Sequence, residues 1–118
     1  MNKVEWDIKG VALAKLGEYE EAIKYYDKAV ELEPKDANVW YNKGVVLAEL
    51  DKLEQAIECY DKAVELDPEN VNMWYNKGLA LANLGKDKEA IECYDKAIEL
   101  DPENANVPVR SARADLED

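Results

Sequence analysis

The sequence predicts an all-α protein built as a stack of helix pairs, and three observations predict it. The chain of 118 residues repeats at an interval of 34: WYNKG begins at Trp40 and again at Trp74, and a weaker WDIKG begins at Trp6. Residues 37–70 and 71–104 are identical at 24 of 34 positions, and residues 3–36 follow the same frame. A fixed period of this length belongs to stacked-repeat architectures. Within each period apolar residues recur at helical spacing, while five glycines and four prolines are too few for the turns of a β-rich domain.

The first unit, 3–36, places Trp6 and Gly10 in one helix, a break at Gly17, then Ala22, Tyr26 and Ala29 in a second helix that ends before Pro34. The second unit, 37–70, puts Trp40, Gly44 and Leu47 at i, i+4 and i+7, one face of a helix. A break follows at Asp51-Lys52. Ala56, Tyr60 and Ala63 then repeat the spacing in a second helix, which Pro68 closes because the residue before proline is driven from the α region. The third unit, 71–104, repeats this with Trp74, Gly78, Gly85, Ala90, Tyr94, Ala97 and Pro102. Asp36, Asn70 and Asn104 stand where N-caps belong. Gly44 and Gly78 let the paired helix approach closely, and the Trp fills the space they leave. Residues 105–118 begin like another unit, but Pro108 falls where Trp belongs. They read either as a capping helix over the apolar end of the stack or as a tail that docks elsewhere.

Composition narrows the function. The formal charge of −12, from 27 acidic and 15 basic residues, argues against nucleic acid and anionic membrane as partners. No apolar run approaches about 18 residues, and no signal-like segment is present. There is no His and no Thr, and Ser111 is the lone Ser, which removes Ser-His-Asp and Cys-His catalysis and every His-containing metal set. The glycines are isolated, with no phosphate-cradling loop. The DPEN turns at Asp67 and Asp101 lack the mid-loop Gly and terminal Glu of a calcium loop. No enzyme and no cofactor are expected. Cys59 and Cys93 occupy the same place in two units, so they read as small helix residues beside a core Tyr. A cytoplasmic, reducing setting suits them.

On these residues, Trp-x3-Gly, a helix-breaking Gly, then Ala, Tyr, Ala and Pro in register three times over, the chain resembles a tetratricopeptide-repeat protein across residues 3–104. Two positions depart from the pattern. Asp51 replaces the helix-ending Gly17 and Gly85, and Asp87 replaces Tyr19 and Leu53. The resemblance implies a right-handed superhelical α-solenoid with first helices lining a concave groove, and a scaffold that binds a peptide or helix of a partner protein.

The face opposite Trp, Gly and Leu then supplies the candidate site. It comprises Asn38, Tyr41, Asn42, Val45 and Glu49 in the second repeat and Asn72, Tyr75, Asn76, Leu79 and Asn83 in the third. Asn amides suit a peptide backbone, and Tyr, Val and Leu suit side-chain pockets. The first repeat offers Val4, Asp7, Ile8, Val11 and Lys15 instead, so binding is expected mainly across repeats two and three, with Asp7 mattering only to a basic ligand. Relatives that hold acidic chaperone C-termini use a two-carboxylate clamp. Here its Lys and Asn are replaced by Asp7 and Val11, Asn42 matches, and its Lys and Arg are replaced by Asn72 and Asn76. That specificity is not expected. The alternative reading is a structural segment of a longer solenoid, or a homo-oligomer in which residues 105–118 dock on a neighbouring molecule.

Overall fold

Each first helix opens on a polar side chain that takes up an orphan amide. Asn2 accepts from Glu5 N at 3.0 Å, Asp36 from Asn38 N at 3.0 Å and Asn70 from Met73 N at 3.2 Å. The structure, a computed structural model, describes residues 1–103. Among these residues six helices and no strand occur: α1 Lys3–Lys15, α2 Tyr19–Leu32, α3 Ala37–Glu49, α4 Leu53–Leu66, α5 Val71–Asn83 and α6 Asp87–Leu100. The expected cap at Asn104 and the expected capping helix or tail at 105–118 lie outside the described residues.

The turn inside each pair is built the same way three times. Glu18 N, Lys52 N and Lys86 N donate to the carbonyls of Leu13, Leu47 and Leu81, each at 2.9 Å. Gly17, Asp51 and Gly85 donate to Ala14, Ala48 and Ala82. This is a Schellman closure, which requires a left-handed residue just past the helix end. Gly17 and Gly85 supply it at φ 78° and 83°; Asp51 is forced to φ 60°. Asp51 is thus a side chain in a glycine's place, as the repeat frame implies.

Helices pack first against their own partner. Alanines Ala22, Ala29, Ala56, Ala63, Ala90 and Ala97 are fully or almost fully buried, so the backbones of a pair lie close. A Cβ at Gly44 would stand 2.7 Å from the Tyr60 ring, and one at Gly78 would stand 2.5 Å from Tyr94. The space beside each glycine therefore belongs to the tyrosine of the second helix. The sequence reading gave it to the Trp. Trp40 and Trp74 are half-buried at the repeat junction, where their indole N–H donates to the carbonyls of Pro34 at 2.8 Å and Pro68 at 2.7 Å.

Each first helix then packs on the second helix of the preceding repeat: α3 lies against α2 and α5 against α4. Val39 and Met73, one residue before each Trp, are buried there. The lysine of WYNKG closes the same junction, with Lys43 paired to Asp27 and Lys77 to Asp61, both at 2.8 Å. First helices also touch each other, α1 with α3 and α3 with α5, whereas the second helices do not. The stack therefore curves with first helices on the inner side.

Candidate functional site

The inner face gathers most of the predicted residues in line along α3 and α5. Tyr41 and Tyr75 are half-buried, each leaning on the core tyrosine of its own repeat, Tyr60 and Tyr94, at ring-centroid distances of 5.9 Å. Asn42, Val45 and Leu79 are half-buried beside them, and Asn38 and Asn72 are exposed near the helix starts. Asn83, one turn beyond Leu79, is exposed at the end of the same line, beside Asp51, Lys52, Leu53 and Gln55 of the inter-helix turn.

Asn76 has a second role that its face did not reveal. Its Nδ2 donates to Tyr41 Oη at 2.9 Å and to the Asn72 carbonyl at 2.8 Å. One amide thus joins α5 to α3. Its carbonyl oxygen remains the atom able to accept from a peptide. Burial pushes the Tyr41 hydroxyl above the usual phenol range, and the Asn76 bond partly offsets this.

An open hollow of about 360 Å³ lies on the groove face between repeats one and two. Val11 and Lys15 of α1 line it, with Asn42, Val45 and Glu49 of α3 and with Tyr19 and Tyr26 of α2. The sequence reading placed binding mainly across repeats two and three, and the hollow lies one junction earlier. Tyr41, whose ring leans on Tyr60 in the second repeat, has Asp7 as its counterpart in the first, where Tyr26 lines the hollow. Val11, Lys15 and Glu49 are groove positions by spacing; Tyr19, the first residue of α2, escapes a reading that lines the groove with first helices alone.

Burial pushes the Cys59 thiol up to about 11 and also raises Cys93, so neither is a thiolate nucleophile at neutral pH. Both are free and buried. Tyr26 is pushed up to about 12 by burial, with the charge of Asp7 adding to the shift. Among the described residues no group of three or more acidic or Cys side chains is arranged to hold a metal ion. No helix of the described residues is long and apolar enough to cross a membrane.

Comparison with known proteins agrees with this architecture. No curated protein sequence matches the chain. Among solved structures, the first tetratricopeptide domain of Spaghetti (RPAP3), bound to the HSP90 peptide SRMEEVD, is 27% identical with a TM-score of 0.93, covering 99% of this chain and 94% of that one. The Arabidopsis OM64 tetratricopeptide domain is 28% identical with a TM-score of 0.88, covering 95% and 94%. YrrB, described as having an unusual peptide-binding site, is 30% identical with a TM-score of 0.83, over 88% of this chain and 54% of that one. Family profiles described as tetratricopeptide repeat match residues 9–70 and 71–104. With its six helices paired in that frame, the chain belongs to the tetratricopeptide-repeat family.

Proposed function

We propose that the protein is a non-enzymatic interaction module that holds an extended peptide or a helix of a partner protein in its concave groove. One observation carries this reading: a hollow of about 360 Å³ opens on the inner face, with valines on its walls and Asn42, Lys15 and Glu49 around it. Apolar walls with a few polar groups are what a peptide side chain and its flanking amides require. Half-buried Tyr41 and Tyr75 continue the same face toward repeat three. Spaghetti and YrrB, both similar in fold, are peptide binders by description, which supports the same use here. A charge of −12 fits neither nucleic acid nor anionic membrane as partner, and free buried thiols fit a cytoplasmic setting.

A peptide array tests the reading. Peptides selected on it are expected to lose affinity for Val45→Glu, which puts a charge into the hollow, and to keep it for Glu65→Gln on α4. Selection of nothing, or equal loss with both variants, would overturn it. The assembly reading draws on Val4 and Ile8, which are 55% and 61% exposed on α1. Light scattering on the chain with and without residues 105–118 decides it: an oligomer that dissociates on truncation supports assembly, and a monomer in both cases removes it.

A further inference from the structure

Between repeats two and three, the Tyr41–Asn76 hydrogen bond closes the polar side of the groove. Between repeats one and two, the residues in the same two places are Asp7 and Asn42. No hydrogen bond joins them. Asp7 Oδ1 is shut off from solvent and has no hydrogen-bond partner, and among the described residues the Asn42 side chain makes no hydrogen bond either. A carboxylate oxygen in that position has lost its water and gained no hydrogen bond. Lys3, one turn earlier, is paired with Asp36 and reaches Asp7 through its charge alone. Asp7 as a residue is only half-buried, and a carboxylate turns easily about χ2, so this oxygen can be brought to the groove.

The geometry points to a subsite for a basic side chain, Lys or Arg of an extended peptide, with its aliphatic stem along Val11 and Val45 and its cationic head supplying the donor that Asp7 lacks. Asn42 adds a carbonyl acceptor beside it. The subsite rests on the groove reading above and names the class of its ligand. Charge complementarity favours a basic occupant over an acidic one. Of the five positions at which clamp relatives hold carboxylates, none is a cation here, and the one lysine lining the hollow, Lys15, faces a balancing Glu49. The SRMEEVD peptide bound by Spaghetti contains three acidic residues, the opposite sign.

The test is fluorescence anisotropy of the full chain with three labelled peptides: alternating Leu and Arg, alternating Leu and Glu, and SRMEEVD. The Leu/Arg peptide is expected to bind tightest. Asp7→Asn should weaken it by about tenfold, the size of one charged hydrogen bond. Glu65→Gln removes the same charge from outside the groove and should change affinity less than about twofold at physiological salt. Asp7→Tyr recreates the Tyr41–Asn76 arrangement with Asn42; it should raise the melting temperature and abolish the preference for Arg, which keeps the test open if Asp7→Asn folds poorly. Equal effects of Asp7→Asn and Glu65→Gln would reduce the attraction to net charge and overturn the subsite. So would tighter binding of either acidic peptide, while leaving the groove reading intact if Val45→Glu abolishes that binding. Failure of all three peptides together with the array would overturn both.

Discussion

Asn76 Nδ2 lies 2.9 Å from Tyr41 Oη, 35 residues earlier in the chain, so a single amide ties the third repeat to the second. The two residues stand side by side in the sequence motif but come from different copies of it. WYNKG is therefore largely a junction motif. Its Trp bonds to the preceding Pro carbonyl, its Tyr and Asn bond across repeats, its Lys pairs with the preceding Asp, and its Gly receives a Tyr ring.

Asn76→Ala is accordingly expected to lower stability by about 0.5–1.5 kcal/mol, the net worth of a hydrogen bond of this kind. The check is a double-mutant cycle with Tyr41→Phe in urea. Coupling between the two substitutions is expected; strictly additive losses would deny the tie.

Gly78→Ala should destabilise the protein even though Ala is the better helix former. Its Cβ would sit 2.5 Å from the Tyr94 ring and 3.2 Å from the Ala90 carbonyl, and backbone cannot step aside. Overpacking of this kind costs about 1–3 kcal/mol, against a helix-propensity gain of about 1 kcal/mol. A rise in the denaturation midpoint would show the pair to be looser than described.

Asp51→Gly is expected to stabilise by about 1 kcal/mol, because φ 60° strains any residue with a Cβ. The greater freedom of Gly in the unfolded chain trims the gain. Lowered stability in the same denaturation experiment would mean that the carboxylate is making up for its strain.

Stability should fall as pH rises from about 9. The Cys59 thiol ordinarily titrates at 9.0 and is held at about 11 in the fold. Over that window the unfolded chain gives up a proton that the folded chain keeps, so alkali favours unfolding. Tyr26, raised from 10.0 to about 12, extends the loss upward. Urea midpoints across this range should decline, and Cys59→Ala should flatten the lower part of the decline. A midpoint independent of pH to about 11 would contradict the burial of both groups.

Much of the fold was legible because it is local. Helix pairs, the caps at Asp36 and Asn70, and the left-handed place at Asp51 follow from residues within a few positions of one another. What escaped depends on two helices meeting. The Trp-Gly-Leu stripe gives one packing face, but a first helix in a stack has two, its own partner and the preceding repeat. Val39 and Met73 serve the second face, and a single periodic stripe could not show them. Spacing likewise placed Trp and Tyr on facing helices without saying which ring lies deeper. For the groove, spacing put Tyr41 and Asn76 off the Trp-Gly-Leu stripe, on the side where first helices approach each other. It could not say that adjacent first helices come near enough for them to bond each other.

The order in which helices touch has a further consequence. No helix of the first repeat meets a helix of the third; every contact among residues 1–103 is within a repeat or between neighbours. Among the described residues nothing closes the stack on itself, so its cooperativity is that of a one-dimensional array, where order propagates from unit to unit. A disturbance in α1 can reach α6 only by passing through α3 and α5. The middle repeat is gripped on both sides, and its backbone amides should be the slowest to exchange with deuterium. The unit carrying the strained Asp51 is thereby the one whose neighbours hold it most firmly in place.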